Sequence, residues 1–176
     1  MNSDIWKKCV DFHGHACPGL AIGVKACEAA GGRLGITFSP DEEIVCVAEN
    51  DACGVDAVQV LTGCSMGKGN LIYRNRGKMA FSFFERSTGK RVRVVLKKMF
   101  QRDGTDREAL QNLILDSPCE ELFEFKTPPY EPPEKARLFA SHNCERCGES
   151  TAEPAIRLVE GQKVCLDCYQ PYSRGW

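Results

Sequence analysis

Two Cys-x-x-Cys pairs, Cys144-Glu145-Arg146-Cys147 and Cys165-Leu166-Asp167-Cys168, stand seventeen residues apart near the end of the chain. Four thiolates at this spacing fit one tetrahedral zinc, and Gly148 supplies the tight turn that must follow the first pair. A dithiol redox pair would come singly and beside a strand-helix unit, so a closed structural site is the better reading. His142 is close by, but four cysteines need no fifth ligand. The constraint on folding is severe, because the segment that carries these pairs is about forty residues long, near the size at which a chain needs a metal or disulfides to fold at all.

Proline marks the boundary in front of this segment. In Thr127-Pro128-Pro129-Tyr130-Glu131-Pro132-Pro133-Glu134, four of eight residues have no backbone N–H. Such a stretch predicts an extended, semi-rigid connection. The expected organisation is a core domain over 1–126, a Pro-rich linker over 127–139 and a small zinc-binding domain over 140–176. The 176 residues are enough for one domain with a real core plus that appendage.

Eleven cysteines is a high and odd count. The opening residues Met1-Asn2-Ser3-Asp4-Ile5-Trp6-Lys7 contain no apolar signal-peptide core, which predicts a reducing cytoplasm and thiols kept for metals or redox work. With 23 Lys and Arg against 24 Asp and Glu, a net charge of -1 excludes bulk electrostatic binding to nucleic acid or anionic membranes. No apolar run approaches the roughly 20 residues of a membrane span.

Hydrophobic periodicity organises the larger domain. Asp4 to Phe12 reads as a helix with Ile5, Cys9 and Phe12 at helical spacing and Trp6 and Val10 beside them. A second helix starts with Pro18 in its first turn and is expected to end at Gly31-Gly32. Ile44 to Ala48 reads as a strand, followed by a helix from Gly54 to Leu61, capped by Asn50 or Asp51 and stopped by Gly63. Leu71 to Tyr73, Met79 to Phe84, Arg91 to Leu96 and Leu122 to Phe125 read as strands, and Asp106 to Leu115 as a helix. About five strands interleaved with helices predict an α+β or α/β sandwich with a mostly covered sheet.

The chemistry of this domain concentrates in His13-Gly14-His15-Ala16-Cys17-Pro18-Gly19, where two imidazoles and a thiol fall within five residues just before a helix. Cys53 stands at a similar point, and the start of a helix favours the thiolate that binds soft metals or attacks sulfur. Cys17 is therefore the candidate catalytic thiol. In an extended segment His13, His15 and Cys17 alternate onto one side and could hold a zinc with one position open. Cys64, at another element boundary, is a weaker candidate. Cys9, Cys27 and Cys46 fall in core-like patterns and read as inert packing, and Cys119 carries no site signal. Gly63 to Asn70 superficially suggests a phosphate loop, but the spacing is one residue short and Gly69 occupies the place of the required hydroxyl. A glycine-rich turn in which Lys68 holds an anionic group is the surviving alternative.

Three motifs in order carry a family resemblance: Phe12-His13-Gly14-His15-Ala16-Cys17-Pro18-Gly19-Leu20, Asp51-Ala52-Cys53-Gly54-Val55-Asp56-Ala57-Val58-Gln59 and Thr62-Gly63-Cys64-Ser65-Met66-Gly67-Lys68-Gly69-Asn70-Leu71. To about Lys126 the chain resembles the E-subunit family of molybdenum or tungsten formylmethanofuran dehydrogenase, and its tail is similar to the treble-clef zinc finger that some members carry. The resemblance implies a thioredoxin-like α+β core with a five-stranded mixed sheet flanked by helices, often dimeric. It also implies a metal-binding active site to which His13, His15, Cys17, Cys53 and Cys64 correspond, with Lys68 and Asn70 as cofactor-binding candidates in the glycine-rich turn.

The resulting expectation is a cytoplasmic zinc protein, homodimeric, with a structural zinc in the tail and a second metal, zinc by its donor set, in the core. One role is accessory to the subunits of a molybdenum or tungsten oxidoreductase. A free-standing zinc or thiolate metalloenzyme and a finger that docks a partner are the alternatives, and the near-neutral charge weakens a nucleic-acid version of the last. Whether the chain is itself an enzyme is left open by the sequence.

Overall fold

The computed structural model describes residues 3–97 and 106–175, so Met1, Asn2 and Trp176, which the readings above include, lie outside the described residues. The chain divides into two units, Met1–Ala136 and Arg137–Trp176.

The first unit runs α1 (Ser3–His13), α2 (Pro18–Leu34), β1 (Ile44–Ala48), α3 (Gly54–Thr62), β2 (Leu71–Tyr73), β3 (Ala80–Glu85), β4 (Arg91–Leu96), α4 (Arg107–Asp116), α5 (Cys119–Leu122) and β5 (Phe123–Lys126). Its five-stranded sheet has the order β2-β1-β3-β4-β5. Only β1 and β2 pair in parallel, joined by α3 as the crossover; the other neighbours are antiparallel. This is a mixed sheet in an α+β fold. Strand alternation separates its faces: Cys46, Ala48, Phe81, Phe83, Val92, Val94 and Phe123 join the helices in the main core, whereas Val45, Val47 and Phe84 form a second cluster opposite.

That opposite face is covered by the Pro-rich segment. Extended as its prolines require, the segment packs on the sheet through Tyr130, whose hydroxyl donates to Ser82 Oγ at 2.8 Å and whose ring centroid lies 6.0 Å from that of Phe84. Arg86 donates to the Pro133 carbonyl at 2.9 Å, and Arg91 pairs with Glu131 at 2.7 Å. Of the segment expected as a semi-rigid linker over 127–139, the part as far as Ala136 belongs to the first unit and lies as a strap on its sheet. On the same face Arg93 clasps Glu49 through two bonds of 2.6 and 2.8 Å. Those bonds hold the Glu49 carboxyl below the usual carboxylate range against the opposing effect of burial.

Three local expectations change. The buried stripe of α1 is Cys9 with the half-buried Trp6 and Val10, while Ile5 and Phe12 are exposed. Helix α2 passes through Gly31-Gly32 and stops at Gly35, whose N–H donates to the Gly31 carbonyl at 2.9 Å. Burial of Ala29, Ala30 and Leu34 outweighs the weak helix preference of two glycines. Ahead of α3, Asn50 caps the turn before the helix instead of the helix itself, accepting from Ala52 N–H at 3.2 Å and donating to the Lys78 carbonyl at 2.9 Å.

The second unit consists of two hairpins, β6 (Ser141–Asn143) with β7 (Ser150–Ala152) and β8 (Arg157–Val159) with β9 (Gln162–Val164), joined through a 3-10 turn at Glu153–Ala155. Its buried apolar side chains are Cys144, Val164 and Cys165. Among the described residues no helix is long and apolar enough to cross a membrane.

Candidate metal centres

In the second unit each cysteine pair begins as a strand ends, Cys144 after β6 and Cys165 after β9. The sulfurs of Cys144, Cys147, Cys165 and Cys168 all lie within 4.8 Å of one another. Cys165 N–H donates to Cys144 Sγ at 3.3 Å. Backbone N–H groups of Cys147 and Cys165 pull the Cys144 thiol down to about 6, whereas the hydrogen bond with Cys165 pushes Cys168 up to about 12. One thiolate is thus stabilised by the backbone while its neighbour Cys168 is held protonated by crowding. A divalent cation at the centre removes that conflict, so the donor set fits zinc.

The first unit holds a second donor group, built around the junction of α1 and α2. His13 ends α1, and Gly14 closes the helix by donating to the Val10 carbonyl at 2.8 Å. Its φ of 89° is the left-handed conformation that a side chain would resist, and it turns the chain so that His15 returns beside His13 with ring centroids 4.5 Å apart. Cys17 then caps α2, its sulfur accepting from Leu20 N–H at 3.3 Å. The donor atoms of His13, His15 and Cys17 lie within 4.8 Å of one another. The three converge, although by this turn and not by the alternation of an extended strand.

His13 is oriented from behind. Its Nδ1 donates to the Asp56 carboxylate oxygen Oδ2 at 2.7 Å, so Nε2, 3.8 Å from Cys17 Sγ, is the nitrogen turned toward the other donors. A carboxylate that fixes the tautomer in this way is the usual support of a metal-binding imidazole. Asp56 stands in the second motif with no role assigned by sequence; its position one helical turn beyond Cys53 is the available signal. We expect Asp56→Asn to weaken metal binding in the first unit by about 10- to 100-fold while the second unit keeps its metal. Competition with a chromophoric chelator measures this, and an unchanged affinity would remove Asp56 from the site.

Helices α2 and α3 bring Cys53 to this group. A Cβ on Gly23 would meet the Gly54 carbonyl oxygen at 2.2 Å, so the helix backbones touch at that crossing. A Cβ on Gly19 would lie 3.5 Å from Cys53 Sγ and 3.9 Å from Cys17 Sγ, which places the two sulfurs around one point. The two sulfurs differ in accessibility. Cys17 is 3% exposed, and Cys53, half-buried, is the more accessible sulfur. Cys53 is already helical, and desolvation raises its thiol, aided by the hydrogen bond and charge of Cys17. Here burial outweighs the start of the helix.

Three further candidates occupy other places. Cys64 is fully buried and donates to the Ile44 carbonyl at 3.6 Å, with its thiol raised by burial. Lys68 donates to the carbonyls of Ser39 and Pro40 at 2.9 and 3.3 Å. Asn70, also fully buried, receives Ser65 N–H and donates to the Asp41 and Ile44 carbonyls. These last two side chains tie loops together and are not part of the histidine-cysteine group. Cys9, Cys27 and Cys46 are buried, with thiols raised by desolvation, Cys9 to about 11. A cavity of about 370 Å³ adjoins the group and is lined in part by His13, Cys53 and Asp56. A larger one, about 610 Å³, is lined by none of the donors.

Residues 12–124 match the family model described as FmdE, molybdenum formylmethanofuran dehydrogenase operon. The chain belongs to the FmdE family. Residues 137–174 match the prokaryotic dksA/traR C4-type zinc finger, in agreement with the four-cysteine group. A relative from Archaeoglobus fulgidus, named a probable S-adenosyl-L-methionine-binding protein, is 32% identical over 193 residues, covering 92% of this chain and 51% of that protein. The chain thus spans about half the length of that relative. The crystal structure of a tungsten formylmethanofuran dehydrogenase FmdE-like protein from Syntrophus aciditrophicus superposes with a TM-score of 0.66 at 23% identity, covering 94% of this chain and 90% of that one. This likeness establishes the shared FmdE-like fold.

Proposed function

We propose that this FmdE-family chain is a zinc-binding accessory protein of a molybdenum or tungsten oxidoreductase, acting in the cytoplasm as a homodimer. Its first unit presents an open metal position to a small sulfur or one-carbon group. The observation that carries the reading is the relay from Asp56 through His13 to Cys17, with His15 alongside. Two imidazoles and one thiolate are three protein donors, the number found where a fourth position is kept for a ligand. His13 offers Nε2 because its Nδ1–H is engaged by the Asp56 carboxylate, and the Leu20 N–H supports negative charge on Cys17. Zinc, when bound there, supplies Lewis acidity. The second unit contributes a closed site with no open position.

Affinity purification from the native organism is expected to recover a large molybdenum or tungsten protein, with about one to two zinc ions per chain. Cys17→Ser should remove only the fraction above one. A chain that purifies alone argues against the accessory role. Equal zinc in wild type and in a variant lacking His13, His15, Cys17, Cys53 and Cys64 argues against the core site.

A second reading, a free-standing enzyme or small-molecule-binding protein, is favoured by the 370 Å³ cavity at the donor group and by the name of the archaeal relative. Saturable retention of S-adenosyl-L-methionine in equilibrium dialysis would move the assignment in that direction.

A further inference from the structure

The geometry points to the cavity beside His13 and Cys53 as the seat of a neutral thiol with a compact apolar body, held by its sulfur at the open metal position. This inference rests on the metal site proposed above and adds the chemical class of its ligand. The cavity stands at the carboxyl ends of β1 and β2, the one parallel pair of the sheet, where the crossover helix α3 begins. Crevices at that place in a parallel unit are where ligands enter, because the chain leaves the sheet there and the loops diverge.

Its lining decides the ligand. Val55, Leu71, Met66 and Tyr73 contribute apolar surface, the last two 71% and 43% exposed and so available to close over a ligand. The acidic groups are Asp51 and Asp56, and no lysine or arginine lines the cavity among the described residues. A phosphate or carboxylate would therefore enter beside two carboxylates with no lysine or arginine to balance it, the metal being its one positive partner. A divalent ion on two neutral imidazoles and one thiolate retains a single positive charge, which a second thiolate neutralises. Soft sulfur suits such a site, and a neutralised complex suits apolar walls. The incoming S–H gives its proton to solvent as the sulfur–metal bond forms; no electron is transferred.

The test uses the full chain loaded with cobalt(II), with thiophenol as the probe and phenol and benzoate as the oxygen and carboxylate controls. Core loading is the cobalt content of the wild type minus that of Cys17→Ser. Thiophenol is expected to produce a saturable rise in sulfur-to-cobalt charge-transfer absorption that Cys17→Ser abolishes, and the controls are expected to produce none. Filling the cavity with Val55→Phe should weaken thiophenol about tenfold or more at unchanged core loading, since the ring loses its apolar burial. If Val55→Phe does not fold, Met66→Asp at the exposed mouth should weaken the thiolate by about tenfold through like charge. A loaded core that gives no thiophenol signal, that binds benzoate equally well, or whose thiophenol affinity ignores the variant that folds overturns the ligand class alone. Absence of core cobalt overturns the metal site, and this inference with it.

Discussion

Removing the metal with a chelator unfolds the second unit and leaves the first folded. The expectation follows from what else holds residues 137–175 together. Their buried apolar side chains are Cys144, Val164 and Cys165, supported by the partly buried Val159, Cys168 and Tyr169. Burial of a large side chain contributes about 1.5–3 kcal/mol, whereas ordering each residue costs about 1–2 kcal/mol of backbone entropy. Two of the three buried groups are themselves sulfur donors, so losing the ion also leaves crowded thiols competing for protons. Structural zinc in small fingers binds with about 10–16 kcal/mol, enough to be the difference between folded and unfolded. Amide exchange read by mass spectrometry should show loss of protection in the hairpins β6–β7 and β8–β9 on chelation, with β1 and β3 unchanged. Persistent protection of both hairpins in metal-free protein would mean that the four cysteines do not hold this unit.

Gly23→Ala in the first unit has the next largest effect. The added Cβ would stand 2.2 Å from the Gly54 carbonyl oxygen and 2.5 Å from Gly54 Cα, both backbone atoms that cannot rotate away. Helices α2 and α3 must then separate, at a cost of about 3 kcal/mol or more for overpacking at a rigid contact. The separation also moves Asp56 of α3, which orients His13, relative to Cys17 at the start of α2, so metal binding in this unit should fall with stability. Gly32→Ala is the control: it lies in the same helix, is exposed, and a Cβ there meets nothing within 4 Å. It should stabilise the first unit by about 0.5–1 kcal/mol through helix propensity. Urea denaturation of both variants separates the two effects. If Gly23→Ala unfolds at the wild-type midpoint, the close crossing of α2 and α3 is not required.

What the sequence determined by itself was chemistry confined to short stretches of chain. Each cysteine pair spans four residues, and His13, His15 and Cys17 span five, so covalent geometry already limits how far apart the donors within each stretch can be. The strands β1, β2 and β4 were likewise legible because alternation or an apolar run bounded by turn residues is a local signal. Tertiary structure decided whatever depended on a partner distant in the chain. Asp56 acts on His13 from 43 residues away, and nothing local distinguishes it from another acidic residue on a helix. The Pro-rich segment was recognisable as extended, but only the sheet face opposite the helices, with Val45, Val47, Ser82 and Phe84, makes it a strap. The bonds from Lys68 and Asn70 to loop carbonyls, and the burial of Cys64, likewise depend on segments that only the fold brings together. Helix α2 outran its two glycines for the same reason: burial is summed over the whole fold, and it overrides preferences of a few tenths to about one kcal/mol that are all a short sequence window can express.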